Sequence, residues 1–250
     1  MRPIVALLAA ALVLALPASA ANVQHGKQLF GEYCVSCHGP NAEGSLGQRY
    51  GGGKGRDNQI LTGLAPSLHG VGALAADFYL TTGYMPLRRN GIQPRRSSLI
   101  FGRRDIADLT AYIASLGKGP AIPKPDPAKG NLAEGMHLFT DHCAGCHQVV
   151  AEGGFVTGAV PPPLEDDSST QIAEAVRIGP YVMPKFTKKA ISDAQLNSII
   201  AYVQYAKHPD DRGGWSLGHI GPVPEGLVAW FIAAAALVAV CMVIGKRLRG

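Results

Sequence analysis

The apolar positions of the chain fall into three patterns. At the start, Ile4 to Leu16 is apolar throughout behind a single positive charge at Arg2, and Pro17-Ala18-Ser19-Ala20 supplies small residues of the kind a signal peptidase cuts after. Residues 1–20 therefore read as an export signal, because its core falls short of the roughly 20 apolar residues that cross a bilayer. At the other end, Gly226 to Gly245 holds no charged residue, and at about 1.5 Å per residue it spans about 30 Å, the thickness of a hydrocarbon core. This predicts one transmembrane helix over 223–245, with Trp230 and Phe231 near its start. Lys246, Arg247 and Arg249 in the tail, 246–250, put the C-terminus in the cytoplasm and the chain before the helix on the extracytoplasmic side. Between the ends the period is helical. Ile106, Leu109, Ile113 and Leu116 share a face behind Asp105 as cap, with Gly117 as stop; Leu196, Ile199, Ile200 and Val203 share another behind a capping-box pair, Ser192 and Gln195. No run of strand-like alternation stands out, so the fold class is all-α.

The helical region repeats itself. Gly26 to His38, ending Cys34-Val35-Ser36-Cys37-His38, aligns with Gly135 to His147, ending Cys143-Ala144-Gly145-Cys146-His147, at an offset of 109. Met85-Pro86 matches Met183-Pro184, and Ala111-Tyr112-Ile113 matches Ala201-Tyr202-Val203. Three landmarks in one order mean one module used twice. The domains are then 21–118 and 131–208, joined by a Pro-rich linker, 119–130, expected to be an extended spacer, and followed by a juxtamembrane segment, 209–222. Copy one is longer mainly through Gly44 to Gly63, whose Gly51-Gly52-Gly53-Lys54-Gly55 lacks the pattern of a phosphate loop.

Composition changes the picture in two ways. With 16% charged and 47% apolar residues, the apolar excess massed at the ends, the chain is neither disordered nor a plain cytosolic globule. Charge is divided: residues 22–118 hold 11 basic and 6 acidic side chains, residues 119–208 hold 7 and 9. Arg88, Arg89, Arg95, Arg96, Arg103 and Arg104 crowd one stretch, read as a solvated basic surface suited to an acidic protein or lipid headgroups rather than nucleic acid. Glu165-Asp166-Asp167 reads as a solvated loop.

Four of the five cysteines belong to the two C-x-x-C-H groups, and the fifth, Cys241, lies in the transmembrane stretch. This spacing attaches haem covalently: Cys34 and Cys37, or Cys143 and Cys146, add to the porphyrin vinyl groups, and His38 or His147 binds the iron from one side. A redox disulfide or a zinc ion shared by both motifs would not require a His directly after each pair. Met85 and Met183, one per copy and each stiffened by a following Pro, are the candidate sixth ligands, with His69 competing for the first iron. Iron with both axial positions filled transfers electrons rather than binding substrate. No stand-alone catalytic constellation is present.

Each copy resembles a class I cytochrome c domain: C-x-x-C-H, then Pro66-Ser67-Leu68 or Pro162-Pro163-Leu164 before the Met, then the Ala-Tyr closing helix. The whole chain, with Gly221-Pro222-Val223-Pro224-Glu225-Gly226 leading into its anchor, resembles the diheme cytochrome c subunit of the actinobacterial-type menaquinol (ubiquinol):cytochrome c reductase, a cytochrome bc complex. That resemblance implies two c-type haems, a cytochrome b subunit and a Rieske iron-sulfur subunit as partners, and onward transfer to a terminal cytochrome c oxidase, in a supercomplex, or to cytochrome c. It implies a single-pass protein of the plasma membrane and an electron-transfer subunit of an oxidoreductase and translocase. A subunit of another oxidase or periplasmic dehydrogenase, or a diheme peroxidase, is the alternative.

Overall fold

The computed structural model describes residues 20–44, 65–87, 95–207, 209 and 222–248. The export signal up to Ser19, most of the Gly-rich insertion, Arg88, Arg89 and most of the juxtamembrane segment lie outside the described residues. Copy one consists of α1 (Val23–Tyr33), α2 (Val35–His38), α3 (Gly72–Thr81) and α4 (Arg103–Ser115). Copy two repeats the order with α5 (Leu132–His142), α6 (Ala144–His147), α7 (Ser169–Ile178) and α8 (Asp193–Lys207). Among the described residues the sole extended pairing is an isolated bridge between Val156 and Ala159. Both copies belong to one compact unit ending at Lys207, and α9 (Pro222–Leu248) belongs to a second.

Short polar side chains start the helices. Asn22 accepts the N–H groups of Gln24 and His25 at the head of α1, and Asn131 that of Glu134 at the head of α5. Asp105, expected as the cap of α4, instead lies one turn inside: Gly102 is the cap, and the Asp105 carboxylate accepts its N–H. Arg103 and Arg104, both good helix formers, carry the helix back to that glycine, and Asp105 then favours the positive helix end. At the far end Leu116 is the C-cap and still packs against the core that Ile106, Leu109 and Ile113 bury, one residue before Gly117. The capping box of α8 is as expected, with Ser192 N–H donating to Gln195 Oε1 (2.9 Å) and Gln195 N–H to Ser192 Oγ (3.2 Å). Ser192→Ala should cost about 1 kcal/mol, read as a lower denaturation midpoint of the purified chain; an unchanged midpoint would mean that water replaces the cap.

In each copy the first helix crosses the last. The closest approach is at Gly26 and Gly135, where an added Cβ would lie 2.0 Å from the Asp108 carbonyl oxygen and 1.9 Å from that of Ser198. The crossings are sealed by matching aromatic pairs, Phe30 on Tyr112 at 5.3 Å and Phe139 on Tyr202 at 5.4 Å, with both Phe side chains fully buried. Two separate cores result, one on Leu109 and Ile106, the other on Ile199, Ile200 and Val203.

Of the two middle helices only α3 lacks an amphipathic pattern; α7 buries Ile172, Ala173 and Val176 on one face behind a capping box of Ser168 and Gln171. No residue of either is exposed, because each packs on its own copy and on the other copy's middle helix. Gln171 of α7 donates to the Thr81 backbone oxygen at 3.2 Å, and Arg96 reaches across to Gln171 (3.0 Å) and to Asp167. Asp167 and Arg96, expected to be solvated, are therefore partners in the contact between copies, and the Asp167 side chain is only 14% exposed. The linker also departs from a free spacer. Pro120 accepts the Leu74 N–H at 3.1 Å, Asp126 N–H donates to Asn197 Oδ1 at 2.9 Å, and Pro127–Lys129 forms a 3-10 turn.

Within α9, Glu225–Leu248 is a 24-residue candidate membrane span, about 36 Å long, whose most apolar 18-residue window has a mean hydropathy of 2.8 and no buried residue. The helix outlasts the apolar stretch because Lys246 and Arg247 suit a negative helix end and their stems can lie along hydrocarbon.

Candidate haem sites

Each C-x-x-C-H motif sits where the first helix ends. Cys34 N–H donates to Phe30 O (2.9 Å) and Cys143 N–H to Phe139 O (2.8 Å), after which α2 and α6 each make one turn ending in the histidine. The chain then folds under that turn in the same way twice. Gly44 N–H donates to His38 O (2.8 Å) and Leu68 N–H to Ala42 O (2.8 Å); in copy two Gly153 N–H donates to His147 O (3.1 Å) and Leu164 N–H to Ala151 O (2.9 Å). Gly44 and Gly153 have φ of +83° and +79°, and a Cβ on either would come within 2.7 Å of Pro66 or Pro162. Only glycine lets the loop press against that proline.

The consequence is a fixed imidazole. His38 Nδ1 lies 3.0 Å from Pro66 O, and His147 Nδ1 lies 3.0 Å from Pro162 O. A carbonyl can only accept, so the proton is on Nδ1 and the lone pair on Nε2 is left for a metal. Burial lowers both histidine pKa values, partly opposed by the proline carbonyl, which keeps the imidazoles neutral at neutral pH. These carbonyls were not anticipated as functional groups; their signal was the Pro-x-Leu landmark shared by both copies.

The four motif sulfurs are unpaired, Cys34 and Cys143 half-buried and Cys37 and Cys146 exposed. Burial, reinforced by the neighbouring Cys of each pair, pushes Cys34 and Cys143 up to about 11. That is the reverse of the depressed value that activates the attacking thiol of a disulfide carrier. Among the described residues no three His, Cys, Asp or Glu side chains converge, so the two motifs do not share one zinc ion. Cys143, Leu164, Met183 and Phe186 pack against the copy-two core, and Cys34 and Leu68 pack against the copy-one core. Unpaired thiols, a neutral imidazole with a free Nε2 and an apolar wall fit a thioether-linked haem.

Met85 and Met183 both lie beyond the middle helix of their copy and are half-buried, the first donating its N–H to Tyr79 O and the second, in a turn, to Pro180 O, each at 3.0 Å. His69, the competing ligand, turns Nδ1 to Leu116 O (3.1 Å) and Nε2 to Asn41 O (2.8 Å), which engages both ring nitrogens within the fold.

A family model described as cytochrome c matches residues 23–117, and one described as cytochrome C oxidase, cbb3-type, subunit III matches residues 130–203. The chain is 33% identical to the cytochrome bc1 complex cytochrome c subunit of Corynebacterium diphtheriae, over 91% of this chain and 82% of that one. It is 36% identical to the subunit of the same name in Mycobacterium tuberculosis, over 92% and 79%. The chain belongs to the family of cytochrome bc1 complex cytochrome c subunits. A cbb3-type cytochrome c oxidase subunit CcoP of an Azospirillum is a more distant relative, 27% identical over 71% of this chain and 60% of that one. As a bc1-complex cytochrome c subunit, the chain is an electron-transfer component of an oxidoreductase, built from two cytochrome c domains that carry covalent c-type haem and from a membrane-anchoring helix.

Proposed function

We propose that this chain carries two haems, takes electrons from the Rieske iron-sulfur centre of a quinol-oxidising bc complex, and delivers them to a terminal oxidase or to cytochrome c. The observation that carries the reading is the same His-to-proline-carbonyl bond, 3.0 Å long, in both copies. Bound haem supplies a one-electron couple at its iron. Cys34 and Cys37 hold the first group and Cys143 and Cys146 the second, over domains at 21–118 and 131–208. His38 and His147 present Nε2 to the two irons, and Pro66 and Pro162 fix the direction of each ring. Met85 and Met183 would supply thioether sulfur as a further protein ligand in each copy, which would favour a high potential. With α9 anchored by Lys246 and Arg247 on the cytoplasmic side, both domains face outward, beside a cytochrome b subunit. Quinol oxidation and charge translocation belong to the other subunits.

The test is capture of the tagged full-length chain from membranes in mild detergent, with reduced-minus-oxidised spectra taken using quinol as reductant. The expected result is quinol-reducible c-type haem together with b-type haem and an iron-sulfur subunit. A c-type spectrum that quinol cannot reduce, with neither subunit present, overturns the bc assignment in favour of another membrane oxidase or a dehydrogenase.

A further inference from the structure

The contact between the two copies contains a pair of groups that electron transfer does not use. Glu174 of α7 is completely buried, and neither of its carboxyl oxygens has a hydrogen-bond partner among the described residues. The group that acts on it is another carboxyl, Asp77 of α3, from the other copy. The charged and titratable groups on the elements packed around the middle helices are engaged elsewhere. Tyr79 and Tyr84 stand on the copy-one side with their phenols kept protonated by burial. Arg96 is bound to Asp167 and Gln171. Arg177, on α7 itself, donates to Phe186 O, Ile191 O and Asp193 of α8, and Asp193 is also held by Lys188. Lys207, at the end of α8, goes to Glu165 O and Asp166.

An ionised Glu174, fully buried and without a donor, is repelled by an ionised Asp77, itself half-buried, whereas a single shared proton turns the same pair into a charge-assisted O–H···O bond. A divalent cation is the other ligand of paired carboxylates, but it takes six or more oxygens, and no third acidic side chain converges among the described residues. We propose that Asp77 and Glu174 hold one proton between them, so that the two copies take up a proton as they close on each other and loosen when it is lost.

The electrostatics have the same sign. Burial raises the Glu174 carboxyl from 4.5 to about 9, the negative charge of Asp77 adding to the rise, and burial raises Asp77 as well. With the copies apart, Glu174 ionises at its ordinary value. Closure is then fully favoured below about pH 4.5, weakens through the interval up to about 9, and has lost this contribution above it.

The full-length chain in detergent, with its haem, tests this by hydrogen exchange from pH 6 to 9 after correction for intrinsic rates, and by infrared spectroscopy. The protection of α3 and α7 should fall by about tenfold per pH unit, the limit for one proton, while α1 and α5 keep theirs. A protonated-carboxyl band should be present at pH 7 and absent in Glu174→Gln. Glu174→Gln should flatten the profile, since an amide donates to Asp77 at every pH; Asp77→Asn, which offers Glu174 a donor, should flatten it too and serves if the first variant does not fold. A wild-type profile without slope, a slope that survives the substitution, or no protonated-carboxyl band at pH 7 overturns the proposal.

Discussion

A chain carrying Cys143→Ser and Cys146→Ser together is expected to bind one covalent haem instead of two. The matching pair, Cys34→Ser with Cys37→Ser, should give the same stoichiometry with the other copy loaded. The reason is the independence of the two sites. Each motif follows its own first helix, each histidine is oriented by a carbonyl of its own copy, and each copy has its own core. Among the described residues none holds a motif of the other copy, so removing one pair of thiols leaves the remaining attachment geometry intact. Intact-protein mass and the haem-to-protein absorbance ratio read the outcome directly. Two haems retained after either double substitution would contradict the assignment of one haem to each module, and loss of both would mean that the copies mature as one unit.

Gly135→Ala should be strongly destabilising, since Gly135 has the closest approach to backbone among the described glycines. The new carbon would lie 1.9 Å from Ser198 O, 2.6 Å from Ser198 C and 3.0 Å from Tyr202 Cβ, and backbone cannot swing aside as the end of a long side chain can. The crossing of α5 and α8 has to open, which strips contacts from Phe139, only 1% exposed, and pulls Asn131 N–H from Ser198 Oγ, its partner at 2.9 Å. Overpacking of this kind costs about 3 kcal/mol or more. Gly31→Ala, on the outward face of α1 where nothing lies within 4 Å, should instead stabilise by about 0.5 to 1 kcal/mol, the helix-propensity difference. Denaturant unfolding of the two variants side by side checks both signs. A Gly135→Ala protein as stable as wild type would show that the helices cross with room to spare.

The haem motif was legible because covalent chemistry dictates residue type and spacing together, and the repeat made each copy a control on the other. The outer helices were legible because each has one dry side and one wet side. The middle helix of copy one was not, and Ala73, Ala75, Asp77 and Tyr79 show why. They lie between the buried Gly72, Leu74, Ala76, Phe78 and Leu80 yet are only half-exposed at most, so the segment is covered on all sides and has no apolar stripe to detect. Arg96 and Asp167 were misjudged for a related reason. Charge in a sequence reads as surface, and their pairing depends on two segments 71 residues apart meeting. The carbonyls of Pro66 and Pro162 escaped notice because a backbone atom leaves no mark of its own in a sequence; only the loop closed by Gly44 and Gly153 brings each to its histidine.

The linker held at both ends also sets how strong the contact between the copies has to be. Pro120 is fixed to copy one and Asp126 to copy two, leaving five residues between them, of which Pro123 and Pro125 are stiff. A tether this short keeps each copy at an effective concentration of order millimolar near the other. Association of the copies is thereby a unimolecular event, insensitive to how much protein the membrane holds. A surface too weak to join two separate proteins at cellular abundance is sufficient here, and that leaves room for a contact whose tightness varies with pH without the chain ever losing its partner.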